Sequence, residues 1–488
     1  MLTRKPIAVA VVALSVLVIA TVPNVGAAAT AASPQPASQV PFGLPLEITL
    51  EEAVVLGLKQ NRTIKGAYVE RTVARFDLFY ARSAFFPRGT ISASAFDDRD
   101  VSGSLRSTTV SPAITWLLPT GAEIQFAWAR TTASVGGNST AETQRGIAIR
   151  QPLLRGGGVA VTIAPLRIAT MQDRINQLSL EATVSREIYS IIQAYRGLAQ
   201  AQAQVNLAER ALFRSRELVE TNRVLIAAGR VAAADIYQAE ADVANRELVA
   251  IAAAQQKRSA QFALSRLLAL DVRTDILAVD ELLPTKIDVD VERAVELARY
   301  HRPDIAAQEA SLAQAREALR IAQNNRLWDL SLFASAREAE GSAGLSSSLD
   351  IPERRIGITV QIPLGDYGAK RDDLRARADL RIAELRMAEL RDSVESEVRD
   401  ACQIVQSSWL ALEAARRARE LAGQAVVAER EKLAAGRSST FQVLSLEDSA
   451  RDADTVELLA TIAYLNALSD LDQQLGTTLE TWHIRLDT

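Results

Sequence analysis

Two long stretches without proline constrain this chain more than any other feature. No proline lies between Pro165 and Pro284, and none follows Pro363 through the last 125 residues. Both stretches are rich in Ala, Leu, Glu, Arg and Gln, which favour helix over many turns. The main interruptions are Gly229 in the first stretch and Gly436 in the second. Each stretch is therefore predicted to form a long helical hairpin that turns back near its glycine.

The sequence also contains an internal duplication. A shift of 241 positions aligns residues 48–95 with residues 289–336 without a gap, and 12 of these 48 positions are identical. The string Ala-Ala-Gly-Arg then recurs in the same order, at 227–230 and at 434–437. Two copies are too few for a solenoid. We therefore expect one pseudo-symmetric domain that is built from two similar halves.

Each half is predicted to contain a short helix, then β-strands, then the long hairpin. The first repeat covers residues 48–283, with strands in 90–152 and a hairpin over 164–270 whose tip is near 229. The second repeat covers 284–488, with strands in 330–363 and a hairpin over 367–475 whose tip is near 436. Thr49 and Glu52 have the spacing of a capping box before the first short helix, and Asp290 is the equivalent cap in the second repeat.

The first residues indicate export across a membrane. Arg4 and Lys5 precede an apolar run from Ile7 to Ala20, and small residues follow it, which is the order of a secretory signal peptide. We assign the signal peptide to residues 1–29, with an uncleaved anchor as the alternative. The proline-rich residues 30–47 are expected to form a flexible segment.

The predicted strands alternate between apolar and polar or small residues. Ile124, Phe126 and Trp128 alternate with Gln125 and its neighbours, and the residues from 356 to 362 follow the same pattern. A sheet between lipid and water has this alternation, but so does a half-buried sheet in a soluble protein. The signal peptide and the long helices favour the outer-membrane alternative.

The first strand region is much longer than the second. It has 57 positions from Ala95 to Pro152, against 27 from Ala336 to Pro363. The extra length contains a tight-turn signal at Leu118-Pro119-Thr120-Gly121, with alternating segments on both sides. We predict four strands in the first repeat and two in the second.

Composition argues against several classes of function. The chain has 55 Lys and Arg against 59 Asp and Glu, a net charge of −4, which does not suit a nucleic-acid partner. Two histidines and the single Cys402 leave little material for a metal site or a thiol centre, and Cys402 is expected to be a small buried side chain. The glycines at 156–158 lack the lysine and serine of a P-loop. We therefore expect no catalytic residues, no metal, no cofactor and no enzyme activity.

Four strings resemble the outer-membrane efflux protein family, the TolC-like channel-tunnels. They are LEEAVVLGLKQN, QPLLRGGG, QIPLGDYGAKRDDLRARADLRIAEL and LAAGRSSTFQVLSLEDS. The resemblance implies an α+β membrane protein whose tandem-repeat protomer has very long antiparallel coiled-coil helices. Its transmembrane strands would join a β-barrel shared by a homotrimer in outer-membrane lipid, and a helical barrel would continue it through the periplasm.

The family resemblance also implies a function and partners. Such a channel conducts substrates passively to the cell exterior in a tripartite efflux or type I secretion system. It receives them from an inner-membrane transporter and a periplasmic adaptor, and it catalyses no reaction. A periplasmic adaptor or a structural coiled-coil protein is the alternative, although neither requires the doubled order of helix, strands and hairpin.

The resemblance transfers few functional residues. It assigns adaptor docking to the hairpin tips, at Ala228, Gly229, Arg230, Ala435, Gly436 and Arg437. The alternative is that these residues only terminate helices. Asp235 matches an acidic aperture position of the family, whereas the second repeat has Gln442 there, which would leave one acidic ring instead of two.

Overall fold

A computed structural model describes residues 45–100, 103–135, 138–228, 232–343, 349–365, 367–435 and 437–486. The first repeat begins with strand β1 and two helices, followed by four strands and the long hairpin. Its elements are β1 Leu46–Ile48, α1 Leu50–Gln60, α2 Arg62–Ser83, β2 Arg88–Asp100, β3 Gly103–Leu117, β4 Glu123–Val135, β5 Asn138–Pro152, α3 Val159–Thr162, α4 Ala164–Ala227 and α5 Asp235–Leu267.

A short strand, β6 Ile276–Ala278, follows the first hairpin and ends the first repeat. The second repeat then has the order of the first with two long strands fewer. Its elements are α6 Val291–His301, α7 Pro303–Asn325, β7 Asp329–Ala343, β8 Leu349–Gln361, α8 Tyr367–Ala434, α9 Thr440–Leu475 and α10 Thr478–Thr481. Within the described residues, no helix is both long enough and apolar enough to cross a membrane.

The two long hairpins lie close to their predicted bounds. Helix α4 has 64 residues and α8 has 68, so each is roughly 100 Å long at about 1.5 Å per residue. A row of small and branched residues on α8 is buried, from Val394 through Val405 to Leu412, and Cys402 is buried beside it. The narrow stripe of small and branched residues therefore packs α8 against its neighbours, as in a coiled coil.

The helices pack side by side in a defined order. Near the strands, α2 packs on α4, α4 on α7, and α7 on α8. Further from the strands, α5 packs on α4, α9 lies against both α4 and α8, and α8 and α9 form the second hairpin. The long helices α4 and α8 thus run through both regions, and the shorter helices fill the positions beside them.

The six long strands form one sheet in the order β2-β3-β4-β5-β7-β8, and every neighbouring pair is antiparallel. The prediction of four strands in the first repeat and two in the second is confirmed. The tight turn predicted at Leu118–Gly121 joins β3 to β4, where the Gly121 N–H donates to the Leu118 carbonyl at 2.9 Å. The extra hairpin β3–β4 is therefore part of the sheet.

Two sequence predictions need correction. The segment 30–47 is not flexible at its end, because Leu46–Ile48 pairs in parallel with β6. Each repeat has two helices before its strands instead of one. The last residues of the second repeat, including Trp482 and Ile484, pack on the core of the first, so the two repeats contact each other. The predicted signal peptide, residues 1–29, lies outside the described residues.

Helix-capping side chains explain where the first helices begin and end. Thr49 and Glu52 form the predicted capping box, and Asp290 caps α6 through the N–H groups of Glu292 and Arg293. Asn61 follows α1 and also caps α2, with its Oδ1 accepting from Thr63 and Ile64. In the second repeat, Pro303 takes the first position of α7, where proline is well tolerated.

Candidate functional site: the sheet faces and the hairpin tips

The two ends of the long helices carry different surfaces. Helices α2 and α7 lead into β2 and β7, and α4 and α8 follow β5 and β8. The tips of both hairpins lie at the opposite ends of α4 and α8. A sheet and a pair of hairpin tips are therefore held apart by roughly 95 Å of helix.

One face of the sheet is apolar and exposed. Residues that oppose each other in the strand register share a face, and one row runs from Trp116 through Ile124, Ile149 and Ala334 to Ile356. Ile356 is 83% exposed and Phe126, on the same face, is 47% exposed. The apolar belt is defined as these positions with the neighbours Ile91, Ile114, Ile147, Leu332, Ile358 and Val360. An uncovered apolar surface of this extent indicates contact with lipid or protein.

The apolar belt crosses the sheet diagonally. At β2 the belt includes Ile91. The residues level with Ile91 on β5 and β7 are not apolar: they are Arg145 and Glu338, which form an ion pair at 2.7 Å. At β8 the belt lies further towards the helices, at Ile358 and Val360. Strands tilted against a membrane shift an apolar band in this way.

The opposite face of the sheet is mostly polar, charged or small, although it also carries Phe96 and Leu105, which are 65% and 42% exposed. In the extra hairpin it carries Thr109, Ser111, Ala113 and Thr115 on β3, opposite Thr131, Ala127 and Gln125 on β4. The Thr109 and Thr131 hydroxyls lie 3.1 Å apart. This face therefore has the character of a surface in contact with water.

The tip of the first hairpin joins α4 to α5. Ala228 is the C-cap of α4, is exposed, and donates its N–H to the Val224 carbonyl at 3.1 Å. Gly229 and Arg230 lie outside the described residues. Asp235 is the first residue of α5 and is half-buried; its N–H donates to the Ala232 carbonyl at 3.0 Å. The residue before it, Ala234, takes the N-cap position without a side-chain hydrogen bond, so Asp235 does not cap this helix.

The tip of the second hairpin is held by side chains. Ala435 and Arg437 are exposed, and the Arg437 N–H donates to the Lys432 carbonyl at 2.8 Å, whereas Gly436 lies outside the described residues. Lys432 Nζ and Ser438 Oγ both donate to Glu429, at 2.8 and 2.6 Å. Gln442 is exposed in the first turn of α9, where its N–H donates to the Ser439 hydroxyl at 3.3 Å.

The two tips lie side by side. Leu218 and Leu225 of α4 form a buried apolar cluster with Leu433, Val443 and Leu444 of the second hairpin. Beside this cluster, the fully buried Asn222 accepts a hydrogen bond from the Thr440 hydroxyl at 3.1 Å. The sequence predictions missed this contact, because an isolated Asn and Thr separated by 218 residues give no local signal.

A buried arginine also joins the two hairpins. The Arg246 side chain on α5 is 7% exposed and pairs with Asp242 at 3.0 Å and with Asp448 of α9. Burial lowers the pKa of Arg246, but the hydrogen bonds and charges of Asp448 and Asp242 outweigh it and raise the pKa overall. Asp242 also accepts from the Ser215 hydroxyl at 2.5 Å. This network ties α4 and α5 of the first hairpin to α9 of the second.

Lowering the pH should loosen the second tip. Hydrogen bonds from Lys432 and then Ser438 hold the pKa of Glu429 below its ordinary value. A carboxylate with a lowered folded pKa stabilises the fold above its unfolded pKa, about 4.3, and loses this effect as the pH falls through the lower folded value. Protection of the Arg437 N–H against hydrogen exchange, taken relative to its intrinsic rate at each pH, should therefore fall below about pH 4. Glu429→Gln should lower this protection at pH 7 as well; unchanged protection in that variant would contradict the role of Glu429.

Comparison with known proteins agrees with this architecture. The sequence model of the family described as outer membrane efflux protein matches residues 294–477. No curated protein matches the chain. Among solved structures, the Campylobacter jejuni CmeC outer membrane channel aligns with a TM-score of 0.68 at 17% identity, over 88% of this chain and 85% of that one.

Two further structures have the same fold. The outer membrane protein VceC of Vibrio cholerae aligns with a TM-score of 0.69 at 18% identity, over 88% of this chain and 96% of that one. The MtrE outer membrane channel of Neisseria gonorrhoeae, solved in its open state, aligns with a TM-score of 0.67 at 18% identity, over 88% of each chain.

The chain thus has the fold of an outer-membrane channel, with long helical hairpins joined to a strand sheet. Residues 294–477 match the outer membrane efflux protein family, and the resemblance seen in the sequence motifs is confirmed.

Proposed function

We propose that this protein is the outer-membrane channel-tunnel of a tripartite efflux or type I secretion system. One observation carries the proposal: the uncovered apolar belt on the sheet is separated by roughly 95 Å of helix from the two hairpin tips, which pack against each other. The belt would lie in outer-membrane lipid, and the helices would extend through the periplasm. The chain would conduct substrates passively and would have no enzyme activity and no cofactor.

The sheet edges support assembly from several copies. Strands β2 and β8 are the two edges, and because six strands alternate in direction, β2 and β8 run antiparallel. Open edges are not tolerated in lipid, where every backbone group needs a partner. The β8 edge of one copy can pair with the β2 edge of the next and close a ring. A homotrimer, which the family resemblance implies, would form an 18-stranded barrel.

The tips would bind a periplasmic adaptor that connects the channel to an inner-membrane transporter. The candidate contacts are Ala228, Gly229, Arg230, Ala435, Gly436 and Arg437. The exposure of Ala228, Ala435 and Arg437 supports this role. The fixed pairing of the two tips also supports it, since a partner would meet both hairpins as one surface.

Reversing the charge of Arg437 tests adaptor docking. Arg437→Glu should reduce export by about tenfold or more. This factor corresponds to the loss of a charged contact that contributes about 1.4 kcal/mol or more to adaptor binding. The amount of oligomer in the outer membrane should not change, because the side chain is exposed. Arg417→Glu is the matched control, because Arg417 is also exposed on α8 but lies further from the tip. This variant should export normally. Normal export by Arg437→Glu at equal oligomer level would remove Arg437 from the docking surface.

Asp235 is proposed to line the periplasmic aperture. Copies of Asp235 that converge around the channel axis would repel one another, and a bound cation would relieve this repulsion. Gln442 cannot add a second charged ring. A trivalent cation should therefore block channel current weakly in planar bilayers, and Asp235→Ala should abolish this block with similar open conductance. Block that persists in Asp235→Ala would overturn the aperture assignment.

A further inference from the structure

The widths of the sheet and of the helical wall can be compared for a single copy. Four helices, α2, α4, α7 and α8, lie side by side next to the strands. Adjacent helices are about 8–10 Å apart, so this wall is about 36 Å wide. Six strands spaced about 4.8 Å apart and tilted by about 40° span about 38 Å. Without β3 and β4 the remaining four would span only about 25 Å.

The sheet and the helical wall therefore have nearly equal widths in each copy. This agreement does not depend on the number of copies, because both widths are multiplied by the same factor. The extra hairpin β3–β4 makes the two widths agree. Helices α2 and α4 are neighbours, yet their strands β2 and β5 are separated by β3 and β4. The hairpin is also fixed at the helical end of the sheet. The Gly158 N–H donates to the Thr120 carbonyl at 3.0 Å, and Gln151 Nε2 donates to the same oxygen at 3.1 Å.

We propose that β3 and β4 make the membrane pore as wide as the periplasmic tunnel, so that bulky substrates pass the outer membrane without a constriction. This inference rests on the proposed channel function. In a trimer the lumen would be about 25 Å across, against about 14 Å with four strands per copy. The hairpin adds uncharged side chains to the lumen face, at Thr109, Ser111, Ala113 and Thr115 on β3 and at Gln125, Ala127 and Thr131 on β4.

The strand register allows the hairpin to be removed cleanly. Asp98 opposes Leu105, Leu105 opposes Val135, and Val135 opposes Asn138. Asp98 and Asn138 are therefore level across the sheet. A chain without residues 101–137 could pair β2 directly with β5, with Arg99 and Asp100 in the turn. It would keep an even number of antiparallel strands and the same two sheet edges.

A cysteine on the lumen face of β5 reports the width of the pore. Ala148→Cys is introduced into the full chain and into the chain without residues 101–137, and the parent chains, with only the buried Cys402, are the controls. Intact cells are treated from outside with a small maleimide and with polyethylene-glycol maleimides of graded size. The amount of oligomer in the outer membrane is measured first, because the deletion also removes the contacts to Gly158 and Gln151.

The small maleimide should label both Ala148→Cys chains. Polymers between about 14 and 25 Å across should label the full chain at least about tenfold faster than the shortened chain. Equal size limits in the two chains would overturn the proposed width. If the shortened chain does not assemble, a size limit of about 14 Å in the full chain would also overturn it. Failure of the small maleimide to label the full chain would instead contradict the channel function itself.

Discussion

Replacing Phe126 with arginine should prevent assembly in the outer membrane. Phe126 lies in the middle of the apolar belt, between Ile114 and Ile147 in the strand register. An arginine on the lipid face of a membrane strand costs about 2–4 kcal/mol near the midplane, and every copy in the ring would carry one. We therefore expect most of the heat-modifiable oligomer to disappear from the outer-membrane fraction.

The adjacent residue provides a matched control for the Phe126 substitution. Ala127 points to the opposite face, where it opposes Ala113 and Gly146, and these small neighbours leave space for a longer side chain. Ala127→Arg should assemble normally and shift the ion preference of the channel towards anions. If both arginines are tolerated equally, the apolar belt does not face lipid. If both abolish assembly, the defect comes from strand packing rather than from the membrane.

The long elements could be predicted because their signals repeat over many residues. Hairpin helices of 64 and 68 residues need a long stretch without proline, and such stretches are visible in the sequence. The four-plus-two strand count followed from the length of the first strand region and the turn at Leu118–Gly121. Alternation alone could not assign the sheet to a membrane, because a half-buried sheet has the same pattern. The exposed belt in the structure provides what the sequence could not.

The short elements could not be predicted, because three residues are too few for a period. Leu46–Ile48 and Ile276–Ala278 pair in parallel from the two ends of the first repeat, and only the fold brings them together. The break between α1 and α2 was missed for another reason. Asn61 ends one helix and caps the next, so the helical pattern continues through it without an obvious interruption.

The candidate tip residues were found by repetition of Ala-Ala-Gly-Arg, and their role stays a prediction. The contacts that fix the tips were not found, because their polar residues resemble solvent-facing positions of a helix. Asn222 and Arg246 are examples: each is buried, and each has its partner more than 200 residues away, at Thr440 and Asp448. Burial of such groups depends on which helices meet, which local sequence does not encode.

Removing the Arg246 side chain should separate the two hairpins near their tips. Arg246→Met would leave Asp242 without its cation, and removing one partner of a buried ion pair costs about 3–5 kcal/mol. Because Asp448 is about half exposed, we expect a smaller cost, of about 2 kcal/mol. The oligomer should still form, since the cores formed by Ile188 and Val398 in the two repeats lie far from the tips. The expected result is a channel that opens more often.

Single-channel recording in planar bilayers measures this effect directly. Arg246→Met should raise the open probability by about tenfold or more, the factor that corresponds to about 1.4 kcal/mol or more. Arg216→Met is the control: its ion pair with Glu247 is exposed on both sides, and such pairs contribute about 0–1 kcal/mol. Adding Asp448→Asn to Arg246→Met should lower the open probability part of the way back if the unpaired carboxylate drives the hairpins apart. An open probability unchanged from the wild-type chain in Arg246→Met would show that the apolar cluster around Leu218 and Leu433 holds the tips together without this network.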